Sequence, residues 1–275
     1  MSKTKIPWAT DVWNPWTGCS PVSEGCRNCY AKRMATRLKG RFGYPADEPF
    51  KVTFHPDRLE QPLHWKKPRR IFVCSMGDLF HKNIRADDIG KIFRVMKWAK
   101  QHTFIILTKR PKWAQHYYSI IYPEIAEYKH IWLGVSVEDQ KTSDERIPIL
   151  LQIPAAVRFV SYEPALGPVD FSKYLYCEGC GYTKKDMMLQ WDHHLCRNPT
   201  GILDGIIAGC ESSPHRRPAN IEWFRSIRDQ CQSAGISYFL KQMEVEFGNG
   251  KLGIEKMPFL DGQRYDQIPG KIVDR

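Results

Sequence analysis

The chain repeats one unit. A short β-branched or aromatic run stops abruptly on polar residues and is followed by helical or loop-like sequence. The runs are RIFVCSMGD (70–78), HTFIILTKR (102–110), HIWLGVSVED (130–139), VRFVSYEP (157–164) and DGIIAGCES (204–212), with a weaker sixth in ISYFLKQ (236–242). Runs of about five apolar residues suit strands buried on both faces, as in a parallel sheet. Between them, DDIGKIFRVMKWAKQ (87–101) and ANIEWFRSIRDQCQSAG (219–235) carry apolar residues at helical spacing, and the second ends on glycine, a usual helix stop. Strand and helix alternating in this way predict an α/β fold, and a unit of roughly 25–30 residues fits a barrel or partial barrel.

The polar residues that end the runs are Ser75 and Asp78, Thr108 with Lys109 and Arg110, Ser136 with Glu138, Ser161 with Glu163, and Glu211 with Ser212. In parallel α/β folds the carboxyl ends of the strands build the active site. Strands also have to end in something polar, so each residue alone carries less than the set. Two stretches break the pattern. Residues 37–69 are rich in Pro, Gly and basic residues and read as an excursion, and residues 172–203 form an insert. The expected organisation is one domain over residues 1–275 carrying that insert.

Composition removes several classes. No apolar run approaches the roughly 18 residues of a membrane span, and the opening MSKTKIPWAT lacks a signal-peptide core. A cytoplasmic protein without a membrane partner is expected. Nine cysteines in a reducing compartment then point to thiols, metal ligands or redox groups rather than disulfides. The formal charge of +11 favours a polyanionic partner, nucleic acid or nucleotide. Stretches such as HWKKPRR (64–70), KRPKW (109–113) and SPHRRP (213–218) interleave rings with cations, which suits phosphate contact and base stacking.

Residues 16–30, WTGCSPVSEGCRNCY, crowd Cys19, Cys26 and Cys29 together and follow them with Tyr30. A structural zinc site wants four ligands, and His55 or His64 could supply the fourth. A 4Fe–4S cluster is normally held by four cysteines, so three would leave one iron open to bind a substrate or cofactor. Both readings stand on the spacing.

The pattern Cys-x6-Cys-x2-Cys-Tyr ahead of a run of βα units resembles the radical S-adenosylmethionine superfamily. That superfamily usually has Cys-x3-Cys-x2-Cys and an aromatic residue, so the first gap here is three residues longer. The stretches WNPWTGCSPVSEGCRNCYA, TFHPDRL, IFVCSMGDLFH, LTKRP, WLGVSVEDQ and RFVSYEP resemble one subgroup, the phage-type three-cysteine-motif proteins, a family of unknown function. The resemblance implies a partial (βα)6 TIM-type barrel of the radical SAM kind. In it a 4Fe–4S cluster on Cys19, Cys26 and Cys29 would bind S-adenosylmethionine and generate a 5′-deoxyadenosyl radical. Tyr30 would lie near the adenine. Ser75, Met76, Gly77 and Asp78 would hold the methionine amino group, with Asp78 as acceptor. Ser136 and Glu138 would hold the ribose. Lys109 or Arg110 would pair with the methionine carboxylate or with a substrate phosphate. Glu163 and Glu211 would face substrate or cofactor. Cys210, in GCESS where relatives commonly read Gly-Gly-Glu-Ser-Gly, would donate a hydrogen atom or be a small buried thiol. Cys74 and Cys231 take the plain buried reading. An electron donor such as flavodoxin or ferredoxin is implied as a partner.

The insert holds CEGCGYTKKDMMLQWDHHLC (177–196). Cys177 and Cys180, then His193 and Cys196, match a small zinc-knuckle-like site with one Zn2+. An insert too short to bury its own core would gain folding energy from the metal. The expected function is a radical SAM enzyme that modifies or repairs a nucleic acid base, nucleoside or nucleotide. The alternative is a zinc-dependent nucleic-acid-binding or nuclease module without radical chemistry.

Overall fold

The computed structural model describes residues 4–189, 201–248 and 250–270. The chain divides into two compact units, Met1–Gly134 with Ile153–Ala156, and Val135–Gln152 with Val157–Arg275. Both are mixed α/β and rich in parallel strands, as the alternating runs predict.

In the first unit β1 (Asp11–Trp13) lies parallel to β4 (Arg70–Val73), and β4 lies parallel to β5 (Thr103–Thr108). Partners include Trp13 with Val73 and Val73 with Ile106. Ile71, Phe104 and Ile106 are fully buried, which is why these runs are apolar without alternation. α2 (Ala86–Trp98) buries Ile89, Ile92, Phe93 and Met96, the i, i+3, i+4, i+7 stripe of an amphipathic helix. Phe93 stacks on Tyr117 with ring centroids 5.3 Å apart.

The excursion at 37–69 has a structural task. Its β3 (Thr53–Phe54) pairs antiparallel with β2 (Trp16–Thr17), immediately before Cys19. The Cys19 amide donates to Phe50 O at 3.2 Å, and the Gly18 amide donates to Met76 O at 2.9 Å. Buried Thr17 meets His55 Nε2 at 2.8 Å. Burial, with Arg58 adding its charge, lowers the His55 pKa to about 4, so the ring is neutral in this clamp at neutral pH. α1 (Tyr30–Arg37) follows Cys29, and α3 (Pro111–His116) starts on a proline directly after Arg110.

β6 (Ile131–Val137) runs across the division between the units and leads into α4 (Gln140–Gln152). In the second unit β7 (Val157–Tyr162), β8 (Gly205–Gly209) and β9 (Ser237–Glu246) are parallel neighbours. The insert enters a turn in which Cys177 N donates to Tyr182 O at 2.9 Å and Gly181 N to Cys177 O at 2.8 Å. It continues into α5 (Lys184–Leu189), opened by a reciprocal Thr183–Asp186 cap. α6 (Ile221–Ala234) starts on Asn220, whose side chain accepts from Glu222 N, and stops at Gly235, φ 68°. β9 extends past the expected run and pairs with the antiparallel β10 (Leu252–Lys256). A hairpin of β11 (Phe259–Leu260) and β12 (Gln263–Arg264) follows. Among the described residues no helix is long and apolar enough to cross a membrane.

Gly18 is the tightest point. Its φ is +88°, and a Cβ there would lie 2.1 Å from Lys51 O. Gly18→Ala is therefore expected to cost at least about 2–3 kcal/mol, or about 5–10 °C in Tm. A thermal melt of the variant within 1 °C of the parent would show that this close approach does not exist.

Candidate functional site

The first unit brings together most of the residues singled out in its sequence. Cys19, Cys26 and Cys29 are free, half-buried thiols on one loop. Cys29 caps the start of α1, so helix α1 grows directly out of the cysteine loop. The Tyr30 hydroxyl donates to Ser75 O, tying that helix to the loop after β4. That second loop is shaped by Asn14, which the sequence reading passed over. Asn14 Oδ1 accepts from Ser75 Oγ at 3.2 Å and from Met76 N at 3.0 Å. Gly77 is pressed against the cysteine loop, where a Cβ would meet Gly18 O at 2.8 Å.

Asp78 is the hub. Its carboxylate is buried and accepts Phe80 N at 3.0 Å and Thr108 Oγ1 at 2.8 Å on one oxygen. The other oxygen takes Lys109 N and Arg110 Nη1, both at 3.1 Å. Arg110 then reaches the cysteine loop. Its Nη1 donates to Cys19 Sγ at 3.4 Å, and its Nη2 donates to Ser20 O at 2.8 Å and Ser20 Oγ at 3.2 Å. His81 closes the far side, with Nε2 2.8 Å from Ser20 Oγ and Nδ1 accepting from Asn83 N at 3.2 Å. An acceptor at Nδ1 leaves the proton of a neutral ring on Nε2, which makes Ser20 Oγ the acceptor.

The electrostatics differ along the loop. Burial, then the Asp78 charge, push the Cys19 thiol up to about 11 against the pull of Arg110. At Cys26 burial pushes the same way, but Lys109 and backbone hydrogen bonds at Val22 and Ser23 outweigh it, and the pKa falls.

The second unit holds the remaining candidates. The Ser136 carbonyl and the Glu138 carboxylate share Arg146 Nη1, at 2.6 Å and 3.0–3.2 Å. Both side chains of that ion pair are almost fully buried. Glu163 Oε2 binds Lys241 Nζ at 2.6 Å and takes a long contact from Ser161 Oγ. Glu163 Oε1 is buried with no hydrogen-bond partner among the described residues. Gly209 makes room for that oxygen, since a Cβ there would lie 2.4 Å from it. Glu211 is buried and holds Arg217 through its amide at 2.9 Å and its Nη2 at 2.7 Å. Burial, then Glu163 and Glu244, push the buried Cys210 thiol up to about 12. Cys74 and Cys231 are buried thiols of the core.

Among the described residues no three His, Cys, Asp or Glu side chains converge to hold one ion. One zinc shared by Cys19, Cys26 and Cys29 is not supported. His55, considered as a fourth ligand, has Nε2 engaged with Thr17. Three free thiols on one loop, with Arg110 and Lys109 beside them, fit a donor set in which each thiolate serves a different iron. In the insert, Cys177 and Cys180 are free thiols of one turn, while His193 and Cys196 lie outside the described residues.

The fold and this constellation define an α/β protein with a three-thiol loop held against strand ends. Residues 3–269 match the family model described as "Protein of unknown function (DUF5131)". The chain belongs to that family. No curated protein matches. Two solved structures are similar over 93% of this chain and 70% of theirs, at 13% identity. One is spore photoproduct lyase complexed with dinucleoside spore photoproduct, at a TM-score of 0.43. The other is a cysteine-to-alanine mutant of that lyase with the same ligand, at 0.40.

Removing one partner of a buried charge pair leaves an uncompensated charge. Arg110→Gln is expected to cost about 3 kcal/mol, while adding Asp78→Asn to it costs about 1 kcal/mol more or less. Denaturant titration of the four members of this cycle measures the coupling, and strictly additive losses would mean that Asp78 does not hold Arg110.

Proposed function

We propose that the chain is a radical S-adenosylmethionine enzyme acting on a nucleic acid base, nucleoside or nucleotide, with the partial (βα)6 barrel that this class implies. The observation that carries the reading is the cysteine loop. Cys19, Cys26 and Cys29 are unpaired thiols, and their loop is clamped by the β2–β3 ribbon, by Gly77 and by Arg110. The three thiols are free and half-buried, and the guanidinium of Arg110 is fixed against Cys19. The motif resemblance and the basic charge of +11 point the same way.

These three thiolates would hold a 4Fe–4S cluster with one open iron. The chemistry supplied there, with S-adenosylmethionine bound, is reductive cleavage to methionine and a 5′-deoxyadenosyl radical that takes a hydrogen atom from the substrate. The chain's own residues set the stage. Asp78 has both oxygens filled by donors of the chain itself, so its part is to fix Arg110, Thr108 and the backbone of Lys109. Arg110 holds Cys19 and Ser20 in place. Ser75, Met76 and Gly77 stay the candidates for the cofactor's amino acid end, on a loop that Asn14 fixes and Tyr30 braces from α1. Ser136 and Glu138 stay the candidates for the ribose. Glu163, with an unfilled buried oxygen, and Glu211 are assigned to the substrate. Cys210 holds its hydrogen at neutral pH, as a hydrogen-atom donor must. Flavodoxin or ferredoxin is the class of reductant, and the insert's Cys177, Cys180, His193 and Cys196 are assigned to one structural Zn2+.

Anaerobic purification with iron and sulfide analysis tests this reading. About four irons per chain are expected, with a reduced electron paramagnetic resonance spectrum that shifts on adding S-adenosylmethionine and is lost in Cys26→Ala. A colourless protein with zinc and no iron under the same handling overturns it.

A further inference from the structure

The segment from Tyr30 to Ala46, YAKRMATRLKGRFGYPA, contains Lys32, Arg33, Arg37, Lys39 and Arg41 and no acidic residue. Five cations are a large part of a net charge of +11, so the surplus is concentrated here rather than spread. Elsewhere the arginines near strand and helix ends are mostly paired: Arg69 with Asp11, Arg85 with Asp88, Arg110 with Asp78, Arg217 with Glu211, Arg225 and Arg228 with Asp261. Among the described residues none of these five cations has a carboxylate partner.

Their placement is ordered. α1 buries Ala31 and Ala35 and turns Lys32, Met34, Thr36 and Arg37 outward. Past the helix, Lys39, Arg41 and Phe42 are exposed as well. Phe42 is 72% exposed and has φ 52°, a left-handed conformation that bulky residues avoid. The tip is nonetheless firmly built. Gly40 N donates to Tyr44 O at 3.1 Å, Tyr44 N donates to Arg41 O at 3.0 Å, and the Arg58 guanidinium donates to Phe42 O. Tyr44 is buried beneath it. An exposed aromatic ring on a left-handed backbone, close in sequence to these cations, presents a face on which a base can stack.

We propose that this face, the outer side of α1 and the loop to Phe42, is a docking surface for a nucleic acid strand. The cations would contact successive phosphates, and the Phe42 ring would stack on a base. Because α1 begins at the residue after Cys29, the docked strand would lead toward the cysteine loop. The proposal rests on the nucleic-acid half of the function proposed above and not on its radical chemistry.

The test is fluorescence anisotropy of a labelled single-stranded oligonucleotide with the full chain, purified anaerobically, across a salt series. The triple variant Arg37→Gln/Lys39→Gln/Arg41→Gln is expected to bind about tenfold more weakly or worse, with a log–log salt slope shallower by about 2. Phe42→Asn, which tolerates the left-handed backbone, is expected to weaken binding about five- to fifty-fold with the slope unchanged. Single Arg41→Gln serves if the triple variant melts early. Unchanged affinity and slope in a folded triple variant overturns the proposal. So does equal binding, through the same residues, of polyglutamate or of phosphatidylserine vesicles. Iron content and the S-adenosylmethionine-dependent spectrum are read on the same samples. Loss of oligonucleotide binding in the variants of an iron-free protein would leave this surface standing while the radical reading falls, and an intact cluster with unaltered binding would do the reverse.

Discussion

A buried carboxylate is costly unless every lone pair finds a donor, and Asp78 meets that demand with donors from separate parts of the chain. Phe80 N comes from its own loop, Thr108 Oγ1 and Lys109 N from the end of β5, and Arg110 Nη1 from the residue before α3. Arg110 has a second set of partners on the cysteine loop, so the loops after β2, β4 and β5 are fixed through one ion pair. Guanidinium suits this role because its rigid planar fork reaches Asp78 and Ser20 through separate nitrogens in a fixed geometry. The steric counterpart is the contact of Gly18 with Lys51 and of Gly77 with Gly18, where no side chain fits. Charge sets the direction of the loop and glycine sets its distance.

Parts of this were legible because they follow from periodicity. β4, β5, β6, β7 and β8 fall inside the five apolar runs, since a strand covered on both faces must be apolar throughout. α6 was legible to its last residue, because Gly235 adopts the left-handed cap that glycine permits. The β2–β3 ribbon was not. Two-residue strands have no period, and a stretch rich in Pro, Gly and charge looks like loop even when it forms the clamp beside Cys19. Asn14, Ser20 and His81 escaped for a related reason. Each acts through hydrogen bonds to residues distant in sequence, and a lone polar residue carries no pattern. β10 escaped because its exposed, mixed residues lack the alternation of a half-buried strand.

The distribution of charge separates architecture from recognition. Most cations near the strand ends lie within hydrogen-bond reach of a carboxylate, where they neutralise it and order a loop. Such pairs contribute little to the external field. A long-range attraction for a polyanion has to come from cations that keep their charge unmatched. Composition records only the total, so +11 cannot tell a field spread evenly from one gathered on a single helix.

The same distinction bears on the polar strand ends. Ser136 and Glu138 converge on Arg146, Glu211 on Arg217, and Asp78 on Arg110. Each of these carboxylates has a cation partner within its own unit and orders a loop there. A recognition site needs groups whose valence the fold leaves open. Two sets meet that condition. The three thiols of the cysteine loop are unoxidised and half-accessible. Glu163 keeps one buried oxygen without a partner, although Lys241 and Ser161 are at its other oxygen. An unpartnered buried carboxylate oxygen carries a desolvation cost that an incoming donor offsets. A substrate N–H or O–H would be such a donor in the role proposed for Glu163.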